Sequence, residues 1–198
     1  MSLLKAIKAQ LGISNTPANN FTLDASADNG TMKLARGNAG ATTQDILTVD
    51  ANGRVSFPQS VVAFHAYQSS AQTLSAGVHT KINLQSEVYD TANSFDSTTN
   101  FRFQPNVAGY YQINGAVRAD AASLAAIHVS LIKNASLVFA AGSFTNSALN
   151  GFMSSASGLV YLNGSTDFVE MNSHAGQSTL LTVGVGFTYM SGILIAKA

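Results

Sequence analysis

The chain has 198 residues, enough for one substantial domain and a smaller attached segment. Charged side chains make up only 10% of it, ten basic and ten acidic, where an ordinary soluble domain has about 25%. The basic residues are scattered along the chain, which argues against a nucleic-acid partner because such proteins cluster them. With hydrophobic residues at 46%, this sparse and neutral surface predicts burial against other copies of the chain.

The chain contains no cysteine, which excludes a disulfide framework and a thiolate metal site. The N-terminus has neither the continuous apolar stretch of a secretory signal nor the length of a membrane span. We therefore expect no membrane insertion.

The first residues carry an amphipathic pattern. Apolar side chains recur at the spacing of one helical face, at Leu3, Leu4, Ile7 and Leu11, and Gly12 stands where a helix is often closed. This predicts a short helix over residues 2–11. Its apolar face either packs on the chain's own domain and on other copies of the chain, or docks these four residues into a larger particle.

Residues 13–20 have linker composition, and residues 21–57 alternate with the two-residue period of strands. One predicted β-hairpin joins residues 21–24 to 32–34 through a turn at Gly30. The other joins residues 46–49 to 54–57 through a turn at Gly53, where glycine permits a positive φ. Asp50 and Asn52 lack the remaining ligands of a calcium loop.

Pro58 marks a predicted boundary between an N-terminal attachment segment, residues 1–59, and a head domain, residues 60–198. The head has strand-like runs at short intervals and no long helical period, which favours an all-β jelly-roll sandwich. The predicted strands are 62–68, 80–84, 101–104, 110–118, 126–133, 137–144, 152–162, 167–172 and two more between 180 and 195.

Two head segments, residues 110–117 and 187–195, are apolar on faces that a single sandwich would leave uncovered. We expect them to bury between the subunits of an oligomer. The candidate interface residues are Tyr110, Ile113, Val117, Val185, Phe187, Tyr189, Ile193 and Ile195.

No catalytic constellation is visible, so the sequence predicts a protein that is not an enzyme and has no cofactor and no metal site. The four histidines, at positions 65, 79, 128 and 174, have no pair at metal-ligand spacing. Three carboxylates, Asp90, Asp96 and Asp120, border one loop surface, but they do not by themselves indicate a glycosidase pair.

The loop from residue 90 to 100 is rich in hydrogen-bonding groups, which suits contact with a sugar or a protein. Its candidate receptor-contact residues are Asp90, Asn93, Phe95, Asp96 and Asn100. The alternatives are a plain solvated loop with Phe95 in the core, or a calcium ion held by the two aspartates.

The head resembles a known family at several motifs. These are Phe64-His-Ala-Tyr67, the Tyr89-Asp90 step, the run from Phe101 through Pro105 to Gly109-Tyr-Tyr111, and the C-terminal Tyr189-Met-Ser-Gly-Ile193. They are similar to the globular head of the complement first-component q subunit, a relative of the tumour-necrosis-factor fold. The resemblance covers about residues 61–198 and implies a trimeric jelly roll with an apolar axis and loops that bind varied targets.

Residues 20–58 look like segments that recur in tailed-phage fibre and other virion proteins ahead of a variable head. The two resemblances together imply a structural virion protein, assembled in the host cytoplasm. In this reading the chain is a short trimeric fibre that attaches to a capsid, portal or baseplate protein and contacts a host-surface glycan or protein. Two alternatives stay open: an architectural capsid decoration or head-fibre protein, and a non-viral trimeric adhesion head.

Overall fold

The computed structural model describes residues 8–16, 19–25, 30–39, 41–57, 61–119, 126–144 and 151–198. The described residues form an all-β protein without an α-helix. The chain divides into two compact units, Met1–Val61 and Val62–Ala198.

The N-terminal unit is a single antiparallel sheet whose strands follow one another in chain order. They are β1 (Lys8–Leu11), β2 (Phe21–Asp24), β3 (Met32–Asn38), β4 (Ala41–Val49) and β5 (Val55–Ser56). Both predicted hairpins are present, as β2 with β3 and β4 with β5. Gly30 and Gly53 have the positive φ values, 73° and 77°, that their turns require.

The predicted helix over residues 2–11 is wrong in its described part, because Lys8–Leu11 is a strand that pairs antiparallel with Phe21–Asp24. A helix this short is marginal in water, whereas the edge of the meander supplies backbone partners for an extended segment. Leu11 is 54% exposed. The other three candidate docking residues, Leu3, Leu4 and Ile7, lie outside the described residues.

The head is a sandwich of two antiparallel sheets. The first sheet has the strand order β15-β12-β18-β6-β9. The second has the order β10-β11-β16-β13-β14, with β8 paired to β16, and β7 pairs with β17 beside them. The strands are β6 (Ala63–Tyr67), β7 (Thr73–Leu74), β8 (Thr80–Lys81), β9 (Ser86–Asp90), β10 (Phe95–Asp96), β11 (Arg102–Phe103), β12 (Ala108–Ala119), β13 (Ala126–Lys133), β14 (Ser136–Phe144), β15 (Phe152–Asn163), β16 (Val169–Ala175), β17 (Thr179–Leu180) and β18 (Tyr189–Lys197).

This arrangement confirms the predicted all-β sandwich. Of the two strands predicted between residues 180 and 195, the structure has a short β17 that ends at Leu180 and one long strand, β18, that begins at Tyr189. Phe187 precedes it in a turn in which its N–H donates to the carbonyl of Gly184 at 3.1 Å. The predicted strands do not include β7, β9 and β10, which have two to five residues each and show no clear period.

Aromatic rings fill the centre of the sandwich. Phe64 stacks on Phe103, with ring centroids 4.3 Å apart, and on Phe95 at 5.1 Å, while Tyr111 meets Phe103 edge-on at 5.3 Å. The Tyr111 hydroxyl donates to the carbonyl of Val107 at 2.7 Å, and burial raises the pKa of Tyr111 to about 12. Residues of two of the family-like motifs, Phe64 of the first and Phe103 with Tyr111 of the third, therefore meet in one cluster.

Candidate functional site

The outer side of the first sheet is an exposed apolar surface, called here the aromatic face. Strand register puts Tyr110 beside Tyr161, with ring centroids 5.4 Å apart. In the next row, Gln112 lies between Leu159 and Ile193. The large side chains of this face that the structure leaves exposed are Tyr89, Tyr110, Met153, Leu159, Tyr161 and Ile193.

The outer side of the second sheet is polar in its described part. It carries an ion pair in which Lys81 Nζ lies 2.6 Å from Glu170 Oε2. Among the described residues on that sheet's strands, Leu137 is the one large apolar side chain that is exposed. The two outer surfaces therefore differ in chemistry: the first is apolar and the second is polar. Exposed apolar patches of this kind mark contact surfaces.

Most of the candidate interface residues lie on or beside the aromatic face. Tyr110, Ile193 and Ile195 are exposed. Tyr189 is half-buried and stacks on His65, with ring centroids 5.2 Å apart.

Val185 and Phe187 lie together in the turn before β18, and both are exposed. The Arg118 guanidinium sits 4.6 Å from the centroid of the Phe187 ring, and His65 Nε2 lies 3.3 Å from the carbonyl oxygen of Val185. These contacts tie the turn to β12 and β6 of the first sheet.

Ile113 and Val117 are a correction to the sequence prediction. Both are fully buried inside their own subunit, because successive residues of β12 point to opposite sides of the sheet. Gln112 and Asn114 point outward instead, and Ser157 links them: it accepts from Gln112 Nε2 at 2.8 Å and donates to Asn114 Oδ1 at 2.7 Å. The middle of the aromatic face therefore carries a hydrogen-bonded polar row.

The second candidate region is the loop between β9 and β11, which two aspartates hold in shape. The Asp90 carboxylate accepts backbone N–H groups from Ala92, Ser94 and Phe95. This is how an aspartate stabilises a turn.

Asp96 plays the same part further along the loop. Its carboxylate accepts the N–H of Thr99 at 2.8 Å and those of Thr98 and Asn100 at 3.0 Å, as well as the side chains of Thr98 and Asn100. The hydrogen bond from Thr99, with those from Thr98 and Asn100, holds the pKa of Asp96 well below its usual range. Asp96 is an anion that fixes the loop backbone.

The loop lines an open pocket with a volume of about 400 Å³. One wall is fixed by Arg102, which donates to Gln104 at 2.8 Å and lies 4.3 Å from the centroid of the Phe168 ring. Gln104 in turn donates to the carbonyl of Ser165 at 2.8 Å. The pocket is lined by Glu87, Asn93, Ser94, Phe95, Asp96, Ser97, Thr98, Asn100, Arg102 and Gln104. Donors and acceptors in a shallow polar pocket suit a hydroxylated ligand.

Four of the five candidate receptor-contact residues line this pocket, but their roles differ. Phe95 is a core residue. For this side chain the structure therefore supports the alternative of a place in the core over a role in receptor contact. Asn93, in a left-handed conformation with φ 51°, and Asn100 are exposed. Asp90 is half-buried and belongs to the loop scaffold.

No cluster of three or more histidine or acidic side chains that could hold a metal ion occurs among the described residues. The hypothesis of a calcium ion between Asp90 and Asp96 loses its basis, since both carboxylates are already bonded to the loop's own N–H groups. Asp120, the third acidic residue considered, lies outside the described residues.

Three histidines form a row on the polar outer side of the second sheet, which sequence spacing does not reveal. His174 lies 4.9 Å from His79 and 5.6 Å from His128 between ring centroids. His128 and His174 are direct cross-strand partners. The three residues come from strands, or strand ends, that are distant in sequence, so only knowledge of the pairing of β13 with β16 could have found the row.

Within the described parts of the chain, no helix is long and apolar enough to cross a membrane.

Comparison with known proteins gives structural likeness without sequence kinship. No family model and no curated protein matches the chain. Among solved structures, Eiger TNF from S. frugiperda superposes with a TM-score of 0.58 at 11% identity, covering 71% of this chain and 96% of that one. Murine APRIL at pH 5.0 gives 0.56 at 10% identity, covering 69% and 100%. At such identity the likeness shows the fold alone, and it confirms the jelly-roll prediction for the head.

Proposed function

We propose that the protein is a structural subunit of a tailed-phage virion, a short homotrimeric fibre whose head attaches the particle to the host surface. The aromatic face carries the proposal. The loop pocket and the N-terminal segment support its two further parts.

The aromatic face is the surface through which the subunits associate. It places several large apolar side chains in water on one side of a sandwich whose other side is polar. Its central row of Gln112, Asn114 and Ser157 offers hydrogen bonds in the middle of the contact. An apolar patch with satisfied polar groups is the usual composition of a protein interface, and the likeness to the tumour-necrosis-factor fold favours three copies.

The loop pocket is the proposed site of host contact. Its backbone is fixed in advance by Asp90 and Asp96, so a ligand does not have to order it. The pocket offers donors suited to the hydroxyl groups of a surface glycan, on the exposed Asn93 and Asn100 and on the half-buried Arg102. The weak affinity of one small site would be raised by three copies in each fibre.

The phage assignment depends on residues 20–58, which resemble segments ahead of variable heads in virion proteins. In this proposal the N-terminal segment joins the fibre to a capsid, portal or baseplate protein, and the protein is localised in the virion. The second candidate function is architectural: the head reinforces a capsid and touches no host.

The trimer is tested by placing a charge on the aromatic face. Ile193→Lys and Leu159→Lys should each convert the trimer to a monomer, because an unpaired charge would have to be desolvated in the contact. Leu137→Lys is the matched control, an exposed leucine on the polar outer side. Light scattering gives the mass of all three variants. Equal masses for the control and the two face variants would overturn the interface.

Host attachment is tested by filling the pocket. Ser97→Trp should abolish binding of the purified full chain to cells or surface polysaccharide of its host, because the indole occupies the ligand's space. Ser178→Trp, at an exposed position outside the pocket, should bind as well as the unchanged chain. If the unchanged chain binds no host surface and yet adds to capsids, the architectural function replaces attachment.

A further inference from the structure

The N-terminal sheet has two chemically different faces, which its strand register defines. Residues directly opposite each other in an antiparallel sheet share a face. The central row on one side consists of Ala9, Leu23, Leu34 and Leu47. The rows on either side of it add Leu11 with Phe21, and Met32 with Val49 and Val55. This is called here the leucine face.

The opposite face of the same sheet is polar. Its rows contain two ion pairs, Lys8 with Asp24 at 2.9 Å and Lys33 with Asp45 at 2.6 Å. The charges of the sheet are therefore concentrated on the polar face. Arg36 is an exception, because it pairs with Phe21 at the end of the leucine face.

Burial shows which face is uncovered. Leu11, Phe21, Met32 and Val55 of the leucine face are all exposed. The central row of that face is half-buried. On the described strands, the fully or almost fully buried side chains are Thr22 and Ala35, and both lie on the polar face. The apolar side of a single-layer sheet is thus the side that the described residues leave open, contrary to the usual order of burial.

We propose that the leucine faces of three copies pack against one another around the trimer axis, forming an apolar bundle of three sheets. This inference rests on the proposed trimer of the head. It gives residues 8–56 a second role besides particle attachment: they add a second contact between three chains that the head already joins, and they leave the polar faces available to the particle.

The size of the leucine face favours tethered copies over a free partner. Five strands spaced about 4.8 Å apart, with a rise of about 3.3 Å per residue, give a patch on the order of 400 Å². A stable interface between free proteins buries about 800 Å² on each side. The face is therefore too small to capture a partner from solution, but it is large enough for copies that are already held close together.

The head supplies that tether. The sheet ends at Ser56 and the head begins its first strand at Ala63, so the connection can span roughly 25 Å at most. Three sheets attached to one trimeric head are confined to a small volume, which raises their effective concentration to the millimolar range. The central row of Ala9, Leu23, Leu34 and Leu47 has no ionisable group, so three copies of it can meet without charge repulsion, and the cation Arg36 lies at the end of the face.

The test uses the fact that the chain has no cysteine. Leu47→Cys places a thiol on the leucine face, and Thr48→Cys places one on the polar face of the same strand, both at half-buried positions. The full-length variants are first confirmed as trimers by light scattering and then oxidised at low concentration. Three neighbouring thiols allow one disulfide, so about two thirds of the Leu47→Cys chains should run as covalent dimers.

The outcomes separate this inference from the proposed function. Dimers from Leu47→Cys with none from Thr48→Cys support the bundle. A trimer that forms no such dimers, or forms them equally from both variants, overturns the bundle and leaves the trimeric head intact. A chain that is a monomer before oxidation overturns both.

Discussion

The two units of this protein bury apolar surface in different ways. The head encloses a core between two sheets, with Phe64, Tyr111 and Leu131 among many side chains that are fully buried. In the N-terminal sheet, the one buried apolar residue among those described is Ala35. A single layer cannot shield both its faces. The head can therefore bury its apolar surface within one chain, whereas the N-terminal sheet needs other chains to cover its apolar face.

The largest effect is expected in the head core. Phe64→Ala removes a ring that stacks on Phe95 and Phe103, and it should lower the free energy of unfolding of the head by about 3–5 kcal/mol. Denaturant unfolding measures the change. A loss below about 1 kcal/mol would show that the head is not organised around this aromatic cluster.

Close packing beneath β18 predicts the next effect. A Cβ added at Gly192 would lie 2.6 Å from Ile113 Cδ1 and 2.7 Å from Phe64 Cε1. Gly192→Ala should therefore cost about 1–3 kcal/mol through overpacking. Gly186→Ala is the control, because no atom lies within 4 Å of a Cβ there. Thermal unfolding should separate the two variants, and equal melting temperatures would contradict this packing.

In the N-terminal sheet, stability depends on polar contacts more than on a core. The buried Asn20 side chain accepts from Ser14 N–H at 2.9 Å and donates to the Ser14 carbonyl at 2.7 Å and to Asn38 Oδ1 at 2.6 Å. Asn20→Ala should destabilise this unit by about 1–2 kcal/mol, seen as faster amide exchange in β1 and β2. The exposed neighbour Asn19 is the control position. Equal changes of amide exchange in the head would contradict a role of Asn20 that is confined to the N-terminal sheet.

The smallest effect is pH dependence at the loop. The pKa of Asp96 in the folded chain is lowered by the hydrogen bond from Thr99 and its neighbours, so the carboxylate stabilises the fold at neutral pH. That contribution is lost as the pH falls below the pKa of the unfolded chain, about 4. Asp96→Asn should flatten the acid limb of the stability profile between about pH 5 and 2. An unchanged acid limb would contradict the role of this carboxylate.

The sequence predicted the head better than the N-terminal unit, for physical reasons. Long strands such as β12 and β15 show their period, and the motif around Tyr111 belongs to the core that defines the fold. The segment ending at Leu11 has helical spacing, yet pairing with Phe21 decides its conformation. The periodicity of one segment carries no information on a partner strand ten residues away.

The candidate sites show the same limit. Tyr110 and Ile193 lie on the exposed face as expected, but Ile113 faces the core because the side of β12 that each residue occupies depends on the register of the whole sheet. The pocket wall formed by Arg102 and Gln104 was not predicted. It needs the carbonyl of Ser165, a residue from a distant turn.

The central claim is that the head alone forms the trimer and that the N-terminal sheets depend on it. The most direct test is the solution mass, by light scattering, of the full chain beside a fragment beginning at Ser60. Both should have the mass of three chains. If the fragment is a monomer while the full chain is a trimer, the N-terminal sheet is the trimerising unit and the order of dependence proposed here is reversed.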